Sequence, residues 1–236
     1  MNRVSVFIPV YNEEDILEKN IERLIRYLEN QNLVFEIIIG SNGSTDQTVA
    51  LGKCIAESDN RITFFHLENK GVGDAFKKGV LSARNDCVIS QDMDLATDLG
   101  FIDQARALLD QGYDIVVGSK KLGEQRRSAF RIMGSGFFIL CARTLLGLPF
   151  QDYSIAAKAY KRSFLLNYLN QIDKGTSYVI DIICHAHHNG AKVTEVPVLC
   201  HDFRTSKFNI VHEGIYRFSN LFKLWVKMTS SNKTVS

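Results

Sequence analysis

The chain has 236 residues, of which 45% are hydrophobic and 23% are charged, and its formal net charge at neutral pH is +2. This length suits one large domain or two small ones, and the composition is that of a soluble globular protein rather than a disordered or fibrous one. A net charge this small gives no argument for nucleic acid as a partner.

Cysteine usage and the apolar runs indicate where the protein works. The five cysteines are far apart and form no CxxC pair, which predicts reduced thiols in a reducing compartment. The N-terminal apolar run is too short for a signal peptide. The most apolar stretch, residues 132–150, is interrupted by Arg143 and several glycines, so we expect no transmembrane anchor and a cytoplasmic location.

Apolar, β-branched segments alternate with amphipathic segments along the first half of the chain. Strands are predicted at 3–10, 34–40, 62–68, 86–91 and 113–120. Helices are predicted at 15–31, 47–58, 71–83 and 99–112. The alternation predicts an α/β fold with a mostly parallel sheet and helices on both faces.

The pattern changes after residue 120 without a break in composition. A basic loop leads into an apolar segment, and a strand is predicted within 192–201 before a C-terminal amphipathic stretch. The "HAHH" at 185–188 has no cysteine or carboxylate at zinc-finger spacing, and the Asn189-Gly190 that follows predicts the end of a helix. Without a linker or repeat, we expect a single domain over residues 1–236.

Four polar loops follow predicted strands, at residues 11–14, 41–46, 69–74 and 92–98. Parallel α/β sheets bind their ligands beyond the carboxyl ends of the strands. The loops therefore predict a ligand site at one edge of the sheet.

Asp92 and Asp94 stand one residue apart at the end of the fourth strand, in "VISQDMDLATD". Side chains at i and i+2 point the same way, so both carboxylates could bind one Mg²⁺ or Mn²⁺ ion. One alternative is a solvated loop in which Asp98 caps the next helix. Another is an aspartyl phosphatase of the haloacid dehalogenase type, although its DxDx(T/V) motif would meet Ala96 at the fifth position and lies mid-chain here.

Several segments in order resemble the family 2 inverting glycosyltransferases with the GT-A fold. They are "IPVYNEE", "EIIIGSNGSTDQT", "NKGVGDAFKKGV", "SQDMDLAT" and "VVGSK". Two further segments, "RTLLGLPFQDYSIAAKAYKRSFL" and "EVPVLCHDFRTSK", resemble the branch that transfers mannose or glucose to dolichyl or polyprenyl phosphate. The resemblance covers about residues 3–207. It implies a nucleotide-sugar-binding half at about 1–120 and an acceptor half at about 121–236.

The resemblance also implies roles for individual residues. The catalytic set would be Asp92, Asp94 and Asp152, with Mg²⁺ or Mn²⁺ held by Asp92 and Asp94. The nucleotide sugar would be bound by Pro9, Tyr11, Glu13, Asn42, Asp46, Gly71, Gly73 and Asp92. The acceptor and the phosphates would be bound by Arg126, Arg127, Arg131, Ser154, Lys158, Arg204 and Lys207. Arginine suits phosphate because its guanidinium group binds two oxygens at once.

The chain departs from the family where Ser41 and Asn42 replace two aspartates. Asparagine still forms hydrogen bonds to a base but loses the charge. The departure leaves a non-catalytic nucleotide-sugar-binding relative open, beside a family 2 enzyme with a soluble or polysaccharide acceptor. The "GVGD" at 71–74 is no dinucleotide fingerprint, because Phe76 stands where a third glycine is needed; it would let the backbone approach the donor, or simply open a helix.

Two segments bear on membrane contact. The C-terminal stretch places Ile215, Phe218, Phe222 and Trp225 near one face with basic residues beside them, as in a helix lying at a membrane surface. Residues 135–150 are also apolar, but for them packing on the sheet or on a partner subunit is favoured. We expect a lipid-phosphate acceptor, peripheral contact with the cytoplasmic face of a membrane, and no nucleic acid.

Overall fold

The computed structural model describes residues 2–120, 122–123, 125–126, 129–153, 155–201 and 210–232. Its strands are β1 Arg3–Val10, β2 Val34–Asn42, β3 Ile62–Leu67, β4 Cys87–Ser90, β5 Ile115–Ser119, β6 Gln125–Arg126, β7 Lys158–Lys161, β8 Val193–Pro197 and β9 Cys200–His201. Its helices are α1 Leu17–Asn30, α2 Thr48–Ser58, α3 Val72–Ser82, α4 Gly100–Asp110, α5 Ala129–Leu146, α6 Arg162–Leu165, α7 Tyr178–His188 and α8 Ile210–Asn232.

Seven strands form one sheet in the order β3-β2-β1-β4-β7-β5-β8. The pairs β1–β2, β1–β4, β2–β3 and β5–β8 are parallel, whereas β7 runs antiparallel to both of its neighbours. The predicted α/β fold with a mostly parallel sheet is therefore confirmed. The sheet also joins the two halves of the sequence, because β7 lies between β4 and β5.

β7 is an element that the sequence pattern did not predict. Its residues Lys158, Ala159 and Tyr160 are fully buried, so both faces of the strand are covered. A strand buried on both faces normally reads as a continuous apolar run. A lysine at its first position hides that signal.

Helices cover both faces of the sheet, as predicted. On one face α1, α2 and α4 pack against the strands, and α1 buries Leu17, Ile21, Leu24 and Leu28 along one side. On the other face lie α3, α5, α7 and α8. Phe76 of α3 is central there, and its ring meets those of Phe7, Tyr160 and Tyr178 at centroid distances of 4.7–5.7 Å.

A short second pairing holds the segments beyond the sheet together. β6 pairs in parallel with β9, and Thr97 forms an isolated bridge with Cys200. The Asp98 N–H also donates to the Leu199 carbonyl at 3.1 Å. The loop after β4 is thus attached to the segment that follows β8.

Three further observations concern features discussed from the sequence. No disulfide joins any of the five cysteines, all of which lie within the described ranges. No helix within the described ranges is long and apolar enough to cross a membrane. α7 ends at His188, and Gly190 has a φ of +74°, the left-handed conformation that favours glycine at a helix end.

Candidate active site

Hydrogen bonds between the first two loops at the carboxyl edge of the sheet hold them against each other. The Asn12 N–H donates to Ser44 Oγ at 3.1 Å, and the Thr45 N–H donates to Asn12 Oδ1 at 2.8 Å. The Glu13 N–H donates to Thr48 Oγ1 at 2.8 Å. The predicted convergence of the loops after β1 and β2 is therefore confirmed.

The predicted nucleotide-side residues Pro9, Tyr11, Glu13 and Asp46 all lie at this edge. Pro9 is half-buried at the end of β1, and the Lys70 ammonium lies 3.7 Å from the centre of the Tyr11 ring. The Asp46 carboxylate accepts the N–H groups of Glu14 and Thr48 and thereby shapes the loop before α2. Their contact with a nucleotide stays a prediction.

Asn42 connects the end of β1 to the start of α3. Its Nδ2 donates to the Val10 carbonyl at 3.0 Å, and its Oδ1 accepts the Gly71 N–H at 3.2 Å. The pair of bonds requires one donor and one acceptor on the same side chain, which an amide provides and an ionised carboxylate does not. The amide at position 42 is thus matched to both of its partners.

Ser41 is fully buried beside Asn42. Its hydroxyl lies 3.0 Å from Ser44 Oγ and 3.0 Å from Nδ1 of His66. His66 stands in β3 directly opposite Ser41 in the sheet. A hydroxyl and an imidazole therefore occupy the place where the resemblance implies an aspartate.

Gly71 and Gly73 are explained by chain packing at the start of α3. A Cβ on Gly73 would lie 2.0 Å from the Asp173 carbonyl oxygen, and one on Gly71 would lie 3.1 Å from that of Lys174. The N–H groups of Gly73 and Asp74 both donate to the Lys174 carbonyl. These two glycines therefore allow the backbone of residues 173–174 to pack closely against the start of α3. A contact between the glycines and the sugar donor stays a prediction.

Asp92 and Asp94 lie just beyond the end of β4, and both are half-buried. Asp92 Oδ2 accepts the Ala156 N–H at 3.4 Å, and Asp94 Oδ1 accepts the Ala96 N–H at 3.0 Å. Leu95, which directly follows Asp94, has a φ of 48°, an uncommon conformation for a bulky side chain, so the turn is held under strain by its surroundings.

Electrostatics set the Asp92 carboxyl apart. Burial and, to a smaller extent, the neighbouring charge of Asp94 raise its pKa to about 6, against the lowering effect of Lys120 and Lys158. A carboxylate in this state favours a cation nearby. The alternative in which Asp98 caps α4 is wrong, because α4 has Leu99 at its N-cap and no side-chain capping bond.

Asp152, Lys120 and Lys158 form a buried charged cluster next to the aspartate pair. Asp152 is 4% exposed; its Oδ2 accepts the Lys120 N–H at 3.3 Å and lies 3.7 Å from the Lys120 ammonium. Its Oδ1 accepts the Ile155 N–H at 3.2 Å. Lys158 has no exposed surface, donates to the Ile155 carbonyl, and has its pKa lowered to about 8 by burial.

The aspartate pair fits a divalent cation that shares its ligands with a substrate. No cluster of three His, Cys, Asp or Glu side chains that could hold a metal occurs among the described residues. Two carboxylates alone suit Mg²⁺ or Mn²⁺, which keeps waters and substrate phosphate oxygens as its other ligands. The placement of two half-buried carboxylates one residue apart, just beyond the end of β4, is the observation that supports this fit.

Several predicted residues on the acceptor side cannot be placed. Ser154, Arg127, Arg204 and Lys207 lie outside the described residues, and so do the side chains of Arg126 and Arg131. Their roles stay predictions.

Sequence reasoning missed two charged residues of this cluster, Lys120 and Glu195. Lys120 closes the "VVGSK" segment, and Glu195 lies in "EVPV"; both segments carried the family resemblance. Glu195 Oε1 accepts the N–H groups of Gln151 at 2.7 Å and Asp152 at 3.1 Å. The sequence could have indicated both residues, because each is a charged residue within a predicted strand.

The chain belongs to Glycosyl transferase family 2, whose sequence profile matches residues 5–169. It is a family 2 glycosyltransferase enzyme, as the sequence predicted. The structure is similar to glucosyl-3-phosphoglycerate synthase from Mycobacterium tuberculosis in complex with Mn²⁺, UDP-glucose and phosphoglyceric acid. The TM-score is 0.69 at 18% identity, covering 94% of this chain and 79% of that one. This likeness confirms the predicted GT-A fold.

Two relatives are 30% identical to the chain. One is an undecaprenyl-phosphate 4-deoxy-4-formamido-L-arabinose transferase of Proteus mirabilis (95% of this chain, 66% of that protein). The other is a dolichyl-phosphate beta-glucosyltransferase of Trichomonas vaginalis (88% and 68%). A glycosyltransferase of Haloferax volcanii is 25% identical over 96% of this chain and 37% of its own length. The chain thus spans between about one third and two thirds of these relatives.

The role of the Asn42 amide can be tested by Asn42→Asp. At pH 8 we expect the variant to lose about 1–3 kcal/mol of unfolding free energy, because a carboxylate would face the Val10 carbonyl and remove a donor. Chemical denaturation measures the loss. Asn60→Asp is the control, since Asn60 is exposed. An Asn42→Asp variant as stable as the wild type would contradict this account.

The charge on Asp92 predicts a pH-dependent effect of Asp92→Asn in metal-free protein. The folded pKa of about 6 lies above the ordinary value of 3.8, so ionisation of Asp92 destabilises the fold, fully above pH 6 and less as the pH falls towards 4. We expect Asp92→Asn to stabilise the protein by about 1–2 kcal/mol at pH 8, allowing for its partial exposure, with the gain shrinking at pH 4.5. Chemical denaturation at pH 8 and pH 4.5 measures this gain in unfolding free energy, with Asp15→Asn as the control because Asp15 is exposed. An equal gain at the two pH values would refute a raised pKa for Asp92.

Proposed function

We propose that this chain transfers a sugar from a nucleoside-diphosphate sugar to a polyprenyl or dolichyl phosphate, with inversion at the anomeric carbon and with Mg²⁺ or Mn²⁺ as cofactor. The observation that carries the proposal is the pair Asp92 and Asp94 at the carboxyl edge of the sheet, with the raised pKa of Asp92. The names of two relatives, which specify undecaprenyl-phosphate and dolichyl-phosphate transferases, support the lipid acceptor.

The balance of charge in the cluster supports a divalent cation. Among the residues of the cluster that the structure describes, four carboxylates stand against two ammonium groups when all are ionised, which leaves two negative charges. They are Asp92, Asp94, Asp152 and Glu195 against Lys120 and Lys158. A half-buried excess of this size favours binding of an ion with charge +2.

The chain's own residues would divide the work of an inverting transfer. An acceptor phosphate oxygen forms a bond to the anomeric carbon while the bond from that carbon to the donor diphosphate breaks, and the nucleoside diphosphate leaves. A cation held by Asp92 and Asp94 would supply positive charge to the departing diphosphate. Residues Pro9, Tyr11 and Asn42 belong to the edge that would bind the nucleotide.

Asp152 would act by placing the acceptor side rather than by taking a proton. A phosphate monoester is already ionised at neutral pH, so no strong general base is needed. Both oxygens of Asp152 accept hydrogen bonds from main-chain N–H groups, those of Lys120 and Ile155. The basic residues that lie outside the described ranges remain in the proposal as phosphate ligands.

The helices α5 and α8 together offer an apolar surface for a membrane. They pack through Phe218, whose ring lies 5.5 Å from that of Phe137 and 5.4 Å from that of Phe138. Exposed apolar side chains repeat along the outer side of each helix: Met133, Phe137 and Leu140 on α5, and Ile215, Phe222 and Val226 on α8. We call these six residues the apolar surface.

Basic residues border the apolar surface, since Arg143 on α5 and Lys223 and Lys227 on α8 are exposed. Aromatic and basic side chains on exposed helices suit an anionic lipid surface. α5 buries Ile139, Ala142 and Leu146 on its inner side, so it packs on the sheet and also exposes apolar residues. The proposal includes peripheral contact with the cytoplasmic face of a membrane. It also includes an acceptor half that begins near residue 121.

The reaction is tested with a donor panel of UDP-glucose, GDP-mannose and UDP-GlcNAc, each with and without Mn²⁺, and a short-chain polyprenyl phosphate. We expect one donor to give a glycosyl lipid only with metal, and Asp94→Asn to reduce the rate by about 100-fold or more because a metal ligand is lost. Product formation is followed by mass spectrometry.

Exposed Asp15→Asn controls for the loss of a carboxylate elsewhere. Transfer to a soluble acceptor with none to the lipid would favour the alternative family 2 activity. Metal-dependent donor binding without any transfer would favour a non-catalytic relative.

The apolar surface is tested by vesicle sedimentation. We expect binding to vesicles with anionic phosphatidylglycerol to exceed binding to neutral phosphatidylcholine vesicles. The double variant Phe137→Ser, Phe222→Ser should bind about tenfold more weakly or worse, because two exposed aromatic groups no longer enter the lipid. Leu81→Ser, on an exposed apolar residue of α3, is the matched control. Equal binding by both variants would exclude the apolar surface as the contact.

A further inference from the structure

Glu195 connects the outermost strand of the sheet, β8, to the turn that carries Asp152. It lies in the middle of β8, the last strand of the sheet, opposite Val117 of the parallel strand β5. Its Oε1 accepts two main-chain N–H groups, those of Gln151 at 2.7 Å and Asp152 at 3.1 Å. One carboxylate oxygen thus holds two consecutive peptide groups more than forty residues away in the chain.

The position is electrostatically unfavourable for a carboxylate. Glu195 is half-buried; burial raises its pKa, and the charge of Asp152 raises it too, while the two N–H groups and Lys158 oppose the rise. Two like charges close together in a partly buried site are costly unless hydrogen bonds offset them. The two short bonds to the turn are the compensation that the structure provides.

The turn held by Glu195 reaches the aspartate pair through a continuous set of bonds. Asp152 accepts the Ile155 N–H, and the Lys158 ammonium donates to the Ile155 carbonyl. The next residue, Ala156, donates its N–H to Asp92. A shift at residues 151–152 would therefore be passed to the Asp92 carboxylate.

The same turn also sets the other side of the cluster. Asp152 Oδ2 accepts the Lys120 N–H just after β5 ends, and the Lys120 ammonium lies 3.7 Å from the same oxygen. Asp152 is buried and receives bonds on both of its oxygens, so its orientation depends on where its own backbone lies. Glu195 restrains that backbone from β8 through its bonds to the N–H groups of Gln151 and Asp152.

We propose that Glu195 is a positioning residue for the transfer step, which holds the backbone of Gln151 and Asp152 so that Asp152 and Asp92 keep their relative placement. This inference rests on the proposed function for its kinetic consequence. Its structural consequence, the restraint of the turn, is independent of any activity. Misplacement of reacting groups by about 1 Å costs on the order of 100-fold in rate.

The test compares Glu195→Ala, Glu195→Gln and Glu36→Ala. Glu36 is the matched control, since it is also a strand carboxylate that accepts a main-chain N–H, that of Arg84 at 2.6 Å. Another of its partners, Ser5, is near the start of β1, at the end of the sheet away from the aspartate pair. Removing Glu36 therefore measures the effect of losing a buried carboxylate far from the cluster.

We expect Glu195→Ala to lower kcat about 10- to 100-fold with the donor KM within about threefold of wild type, because placement rather than donor binding is lost. Glu195→Gln keeps an acceptor oxygen for both N–H groups, so kcat should return to within about fivefold of wild type. Glu36→Ala should leave kcat within about threefold of wild type even if it lowers the melting temperature.

Amide hydrogen exchange supplies the readout that needs no activity. Peptides covering residues 148–157 should exchange faster in Glu195→Ala than in wild type and Glu36→Ala, because two main-chain hydrogen bonds are lost. If the wild type transfers no sugar, the proposed function fails and this exchange alone decides the role of Glu195. A folded Glu195→Ala variant with wild-type kcat, or with unchanged exchange in these peptides, would overturn the inference.

Discussion

A fully buried lysine in the middle of the sheet is the constraint on which the candidate site depends. Lys158 opens β7, the strand that lies antiparallel between β4 and β5. A buried ammonium group is stable only with opposite charges and hydrogen bonds around it. The carboxylates of Asp92 and Asp152 and the Ile155 carbonyl provide them. The position of this one cation therefore brings the end of β4 and the turn before β7 into a single charged cluster.

The insertion of β7 also explains how the two halves of the chain meet. The first four strands end in loops that face one edge, as in any parallel α/β sheet. β7 returns between β4 and β5, so the segment before it reaches the aspartate pair, where the Ala156 N–H donates to Asp92. β8 then adds Glu195 from the edge, and the Asp152 turn is held from two sides. The donor-side loops and the acceptor-side turn are consequently parts of one sheet.

On the nucleotide side, the side chains fit their local partners. The Asn42 amide matches the Val10 carbonyl and the Gly71 N–H because it offers one donor and one acceptor. Gly73 permits the approach of the 173–174 backbone. These residues shape the edge from behind, so a difference in residue type there does not imply a lost site. On the face of the sheet that carries α3 and α7, the helices α5 and α8 bury apolar residues on one side and expose apolar residues on the other.

The sequence by itself determined the alternation of elements, the mostly parallel character of the sheet, the convergence of the loops and the position of Asp92 and Asp94 at the carboxyl end of a strand. These follow from local periodicity and from the rule that parallel strands end at one edge, both of which are readable without long-range contacts. Only the tertiary structure decided the place of β7, the burial of Lys158 and the bonds of Glu195. Each depends on partners far away in the chain, and a charged residue in a short segment carries no local sign that it will be buried.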